Sequence, residues 1–502
     1  MPTILTIDAG TTGVTALLLD QWGRLSGRGY EEFPQHFPNP GWVEHDGRQI
    51  MSAVQSACAA AFDDGGIRAA DITAIGITNQ RETALVWDRQ NGEPIHHAIV
   101  WQDRRTAGIC DRLVAGGHDA QIRATTGLVV DAYFSGTKIA WLLDNVEGAR
   151  DRADKGELAF GTIDTWIVHQ LTGGKSHVTE PSNACRTMLY DIGAGEWSAA
   201  MGELLGVPLS LLPEVRPSIG DFGTTDPDAF FDVELPITGI LGDQQAALFG
   251  QGCWSEGMSK NTYGTGSFVL LNTGTSRPTS RRLLASIAWD LGDGPVYMLE
   301  GSIFVTGAAV QWLRDGLDII EDAAETGPLA ETVADTDDVY LVPAFAGLGA
   351  PWWDPYARGT IVGMTRGTTK AHLARATVEA MAFQTFDVIE AMQADSGIDL
   401  EELRVDGGAS AMDLLCQFQA DLLGVPVLRP QVRETTALGA GFAAGMGAGV
   451  WQSTEQLADV WQLDARFEPA MPAEQRQRRQ RRWRQALALS RGWARDETEG
   501  EQ

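Results

Sequence analysis

Short runs of Val, Ile, Leu and Thr that end on Gly or Asp recur along the chain, with the length and β-branched content of buried strands. They are TILTIDAG (3–10), VTALLLD (14–20), ITAIGITNQ (72–80), TALVWD (83–88), PITGILGD (236–243), SKNTYGTGSFVLLNTG (259–274), VYMLEGSI (296–303) and LRVDGGAS (403–410). Between them, apolar residues return at helical spacing in GRQIMSAVQSACAAAFDD (47–64), FSGTKIAWLLDNVEGARDRA (134–153) and KAHLARATVEAMAFQTFDVIEAMQADSG (370–397). Interleaved strands and helices predict an α/β protein whose sheets contain hairpins.

One pattern occurs twice. IDAGTTGVTALLLD and NTYGTGSFVLLNTG each join two apolar strands through a Gly/Thr turn. Two such hairpins, one per domain and facing each other, would grip a polyphosphate from both sides. A chain of 502 residues exceeds one compact core. The glycine-containing stretch LFGQGCWSEG puts the expected boundary near 250, giving domains 1–250 and 251–502.

Composition narrows the function. With 67 acidic against 38 basic residues, a net charge of −29 argues against sequence-independent affinity for nucleic acid or anionic membrane. The one basic cluster, Arg476 to Arg495, reads more simply as the solvated face of a C-terminal helix. No apolar stretch approaches a membrane span, and Met1-Pro2-Thr3 leads straight into a strand, so a cytoplasmic protein is expected. The five cysteines lack CxxC spacing and read as reduced thiols. Lysine is confined to positions 138, 155, 175, 260 and 370.

Three segments carry chemistry. In DAGTTG, Gly10, Thr11, Thr12 and Gly13 offer neutral donors to phosphate oxygens, and Asp8 at the strand end can hold hydrated Mg²⁺. An ordinary hairpin turn explains the segment equally well. In LGDQQAALFG, Asp243 can take the proton of an attacking hydroxyl, although Asp is also a favoured helix N-cap. Arg81 and Glu82 in TNQRET pair a cation with a carboxylate, which suits either a polyhydroxylated ligand or a plain surface ion pair.

TNQRET, GWVEHD, IVWQDRRT, YFSGTKIAWLLDN, GDQQAALFGQ, KNTYGTGSF, GLGAPWWDPYARG and LRVDGGAS occur in that relative order over residues 4 to about 465, apart from GWVEHD, which precedes TNQRET. Together they resemble the FGGY carbohydrate kinase family, and within it the members that phosphorylate glycerol. The resemblance implies a two-domain actin-like, ribonuclease H-like α/β fold with a nucleotide cleft between the domains. It implies ATP-dependent formation of sn-glycerol 3-phosphate and ADP, with no nucleic-acid partner, no membrane insertion, and a homodimer or homotetramer.

Carried onto matching positions, the resemblance gives Arg81, Glu82, Tyr133, Asp243 and Gln244 to glycerol, with Trp101 and Phe268 as the wall along its carbons. Asp243 becomes the general base, and Asp8 with Asp243 the surroundings of Mg²⁺. Thr11, Thr12, Gly13 and Thr265 fall to the phosphates, and Gly307, Gln311, Gly408 and Met412 to the rest of the nucleotide. Rival readings are kinases of the same family acting on erythritol or a ketose such as xylulose, and a non-catalytic actin-like ATPase or sensor.

The chain departs from the family pattern in three places. Where many relatives read roughly DQGTTSSR, this chain has Gly13, Val14 and Thr15, losing two serines and an arginine. Met412 stands where asparagine is expected. The segment FGTTDPDAFFDVELP is acidic and lacks the arginine-containing loop through which some bacterial relatives bind fructose 1,6-bisphosphate, so no response to that effector is expected.

Overall fold

The computed structural model describes residues 1–495. Two mixed sheets organise the chain. The first contains β1 (Thr3–Ala9), β2 (Gly13–Asp20), β3 (Leu25–Glu32), β4 (Ala74–Asn79) and β5 (Ile237–Gly242) in the order β5-β4-β1-β2-β3. The second contains β6 (Met258–Tyr263), β7 (Ser267–Asn272), β8 (Leu284–Asp290), β9 (Pro295–Ile303), β10 (Glu402–Asp406), β11 (Val427–Pro430) and β12 (Leu463–Phe467). Its order is β8-β9-β7-β6-β10-β11-β12.

The two sheets share one plan. In each, an antiparallel hairpin (β1–β2, β6–β7) is extended by a third antiparallel strand (β3, β9) and flanked by two parallel strands (β4 and β5, β10 and β11). Strands β8 and β12 add edges to the second copy alone. The duplicated α/β plan is the one the resemblance implies. The alternating pattern did not reveal β3 or β8.

Helices bury the sheet faces. Helix α1 (Gly47–Gly65) starts at Asp46, whose carboxylate accepts from Arg48 N at 2.8 Å, and ends at Gly66 with φ +60°. It lies against β3 so closely that a Cβ on Gly29 would stand 1.9 Å from Ala57 O. Beneath the second sheet runs α5 (Lys370–Ser396), where Phe383 stacks on Trp483 of α7 (Ala473–Ser490) at 5.0 Å between centroids. The basic cluster of α7 meets the protein's own acids: Arg479 pairs with Glu379 at 2.8 Å, Arg482 with Asp338 and Arg484 with Glu390. The predicted helix over 134–153 is two, Ser135–Asn145 and Ala149–Asp154, because Val146 is extended and Gly148 takes φ +70°. Among the described residues no helix is long and apolar enough to cross a membrane.

The halves join through equivalent helices. Helix α3 (Asp243–Gly250) follows β5, and α6 (Thr435–Gly447) follows β11. Although α6 comes after strands of the second sheet, it packs on α3 and on β4 and β5 of the first. Small residues permit this. A Cβ on Gly439 would lie 1.9 Å from Ala246 O, one on Gly250 2.1 Å from Thr435 O, and one on Gly239 2.3 Å from Ala444 N. Gly439→Ala is therefore expected to destabilise the protein by about 1–3 kcal/mol, since the helices must separate to admit the methyl group. A thermal midpoint equal to wild type would contradict so close an approach.

Candidate active site

Strand β4 delivers Gln80, Arg81 and Glu82 to its carboxyl end, and β5 delivers Asp243 as the first residue of α3. Gly242 makes the crossing possible, because a Cβ there would stand 2.8 Å from Arg81 Cγ. Glu82 adopts φ +61°, a conformation costly for a residue with a side chain. Its carbonyl is held in place by Ser135 Oγ at 3.0 Å and Lys138 Nζ at 3.4 Å.

Arg81 and Glu82 belong to a closed ring of buried charges. Arg81 Nη1 donates to Glu300 Oε2 at 2.6 Å, and Arg186 Nη2 donates to Glu300 Oε1 at 3.1 Å. Arg186 Nε donates to Glu82 Oε1 at 2.5 Å, and Arg81 Nε lies 3.9 Å from that same oxygen. All four side chains are at most 2 % exposed. Ser286 Oγ takes a further donor of Arg186 at 3.1 Å. Burial alone would raise the Glu300 carboxyl, but attraction to Arg186 and Arg81 overrides it and holds the pKa at about 2. Glu300 lies on β9 and Arg81 follows β4, so the ring also binds one half of the molecule to the other. Asp243 Oδ1 stands 2.9 Å from Arg81 Nε as an ion pair, without the alignment of a hydrogen bond.

Next to the ring lies a cavity of about 860 Å³ between the two hairpins. Thr11 and Thr12 border it from the first hairpin and Thr265 from the second, with Trp101, Tyr133, Gln244 and Phe268 on its other walls. Trp101 meets Tyr133 edge to face at 5.6 Å, and its Nε1 donates to Thr11 Oγ1 at 2.9 Å. That bond fills an acceptor position of the threonine hydroxyl and leaves its hydrogen free to donate. The Tyr133 phenol is raised by burial and by Glu82.

Asp8 is pushed up to about 7, first by burial and then by repulsion from Asp243. The described residues contain no cluster of three or more His, Cys, Asp or Glu side chains able to enclose a metal. Two carboxylates whose mutual repulsion a cation would relieve suit Mg²⁺, which keeps waters and takes its remaining oxygens from phosphates.

Other predicted nucleotide residues lie outside the borders of this cavity. A Cβ on Gly307 would meet Gly264 O at 2.6 Å, so its glycine serves the second hairpin's own packing. Gln311 ends the short helix that Gly307 begins. Gly408 has open space where a side chain would start; it is Gly407, φ +82° and 2.4 Å from Tyr263 O, that sterics require. Met412 packs on the apolar cluster of the second sheet, and its neighbour Asp413 accepts from Arg429 Nη1 at 2.9 Å. Gly13 sits under Tyr30, whose hydroxyl would stand 2.8 Å from an added Cβ, so a serine there would displace the ring.

Sequence reasoning missed Arg186, Glu300, Lys138 and Lys260. Glu300 had a signal, a lone charge inside the apolar run VYMLEGSI. So had the lysines, since two of only five are fully buried beside this site. Lys260 donates to Gln244 Oε1 at 2.6 Å and Thr262 Oγ1 at 2.8 Å; burial lowers it to about 8 against the pull of Asp406 and Asp243. Lys138 donates to the carbonyls of Tyr133, Phe134 and Glu82, and burial lowers it to about 7.

The N-terminal domain model of the FGGY family of carbohydrate kinases matches residues 3–250, and its C-terminal domain model matches residues 259–448. The chain is 58 % identical over 494 residues to a glycerol kinase of Deinococcus radiodurans, covering 98 % of each chain. It is 56 % identical over 497 residues to one of Bordetella parapertussis, again covering 98 % of both. Among solved structures, glycerol kinase of Plasmodium falciparum with ADP superposes with a TM-score of 0.92 at 34 % identity, covering 98 % of each chain.

Two predictions follow from the charges. Glu300→Gln leaves two buried guanidinium groups with Glu82 as their one fully buried carboxylate, beside the partly exposed Asp243, and is expected to cost about 3–5 kcal/mol of stability; denaturant unfolding measures this, and a loss below about 1 kcal/mol would contradict the ring's structural role. Asp8 holds its proton more tightly folded than unfolded, so its contribution to stability is complete below the ordinary value of 3.8 and is lost as pH rises through about 7. In a chelator, the thermal midpoint of the wild type should therefore fall more steeply between pH 5 and 8 than that of Asp8→Asn. Parallel profiles would rule out the shifted carboxyl.

Proposed function

The chain belongs to the FGGY family of carbohydrate kinases, and from that membership we infer that it transfers the terminal phosphoryl group of ATP to glycerol, giving glycerol 3-phosphate and ADP. The observation that carries this reading is the placing of Asp243. Its carboxylate lies 2.9 Å from Arg81 Nε, and Asp243 directly precedes Gln244, which borders the cavity between the hairpins together with Trp101 and Phe268.

Glycerol is almost entirely hydroxyl, so recognition needs buried hydrogen-bond partners fixed in advance. Arg81 and Glu82 supply a donor and an acceptor whose positions the charge ring sets, while Gln244 is held by Lys260. Trp101 and Phe268 cover the carbon chain. Asp243 accepts the proton of the attacking terminal hydroxyl, and Arg81 stands beside it at 2.9 Å.

The phosphates of ATP lie between the hairpins, with the hydroxyls of Thr11, Thr12 and Thr265 and nearby backbone amides as neutral donors. Asp8 and Asp243 would hold Mg²⁺, which when bound supplies the charge that neutralises the phosphate oxygens. Closure of the two halves would exclude water, the competing nucleophile.

A coupled assay across glycerol, dihydroxyacetone, xylulose and erythritol tests the reading. Glycerol is expected to be the preferred acceptor, with kcat for glycerol reduced about 10²–10⁴-fold in Asp243→Asn. Preference for a ketose would overturn the substrate, and undiminished turnover in the variant would overturn the base.

A further inference from the structure

The first hairpin is braced by three side chains with no role so far, one of which, Gln35, also borders the cavity. Gln80 Nε2 donates to Gly10 O at 3.0 Å, and Gln35 Nε2 donates to Thr11 O at 2.9 Å. Both amides converge on His45, which is fully buried: His45 Nε2 stands 2.6 Å from Gln35 Oε1, and His45 Nδ1 stands 3.2 Å from Gln80 Nε2. Thr83 Oγ1 closes the group by donating to Gln80 Oε1 at 2.8 Å.

Only one protonation pattern satisfies every atom. Gln80 Oε1 accepts from Thr83, so its nitrogen faces His45 as a donor and Nδ1 must accept. Gln35 gives its N–H to Thr11 O, so its oxygen faces His45 and Nε2 must carry the hydrogen. The imidazole is thus the neutral Nε2–H tautomer. A second proton on Nδ1 would confront the Gln80 N–H group. Burial, then the neighbouring His36, pushes His45 down to about 3, consistent with this geometry.

The bracing has a consequence on the cavity side. In a planar trans peptide, C=O and N–H point in opposite directions. Drawing the carbonyls of Gly10 and Thr11 back towards Gln80 and Gln35 turns the N–H groups of Thr11 and Thr12 the other way. Neither amide has a hydrogen-bond acceptor among the described residues.

We propose that His45 is a positioning residue for phosphate binding: through Gln80 and Gln35 it fixes two peptide planes so that the amides of Thr11 and Thr12 meet the phosphate chain of ATP. The proposal rests on the reading of this hairpin as the ATP site. It makes the missing lysine of the loop a matter of backbone geometry held by a neutral imidazole.

Isothermal titration of a non-hydrolysable ATP analogue with Mg²⁺, and separately of glycerol, provides the test. His45→Leu is expected to weaken the analogue about tenfold or more, with glycerol affinity within about twofold of wild type. His45→Gln, which keeps one donor and one acceptor, should recover most of the loss. Unchanged analogue affinity in a folded His45→Leu protein overturns the proposal, as does an equal loss for both ligands. Should that variant not fold, Gln80→Met carries the test with the same expected and overturning results. Failure of the wild-type protein itself to bind the analogue would instead reject the ATP site.

Discussion

The ring formed by Arg81, Glu300, Arg186 and Glu82 is the interaction on which the rest of the structure depends. Four formal charges with no exposure to speak of are tolerable only because each carboxylate meets a guanidinium and the whole is neutral. That demand for closure makes the ring informative about architecture. Glu300 can complete it only if β9 stands against the end of β4, so the ring fixes the register of the two halves while it orients Arg81 towards Asp243. The contact between the halves and the setting of the proposed substrate residues Arg81 and Glu82 thus rest on the same four side chains.

The small-residue contact between α3 and α6 acts with the ring. Backbone-to-backbone approach at Gly250 and Gly439 locks α3 against α6, and Asp243 is the first residue of α3. Bulkier residues there would hold the halves apart and carry Asp243 away from Gln244's partner Lys260 on β6. A helix rich in glycine is poor by propensity, and here it is stabilised by the burial that those glycines allow.

This also explains what could be read from the sequence. The hairpins β1–β2 and β6–β7, the parallel strands β4, β5 and β10, and helices α1 and α5 were legible because their apolar residues repeat with the period of the element. Helix α6, TTALGAGFAAGMG, was not, since four glycines in thirteen residues signal turns until the partner surface is known. Strand β3 was hidden by Gly27 and Gly29, which serve α1 rather than β3's own pattern. At the site, motif residues such as Arg81, Trp101 and Asp243 could be named, but the ring could not. Arg186 and Glu300 lie 114 residues apart, and nothing local pairs them. His45 escaped notice for a similar reason, as its role exists only through two glutamines brought to it by different segments.

The charge balance of the cleft bears on how a hairpin with only neutral donors could meet phosphate. Both hairpins are neutral and the ring sums to zero. On the cavity wall Arg104 pairs with Asp131, and behind the wall stand Asp8, Asp243 and Lys260, in a chain of net charge −29. Such a cleft offers little attraction to a bare phosphate anion, and Asp8 is raised first by burial and only then by the charge of Asp243. In the proposed function, affinity for the nucleotide would then come with the cation it carries, together with backbone dipoles. A resident lysine in the loop would attract any phosphate. On the proposed reading, a neutral loop near two carboxylates would instead favour a phosphate chain that arrives with its metal.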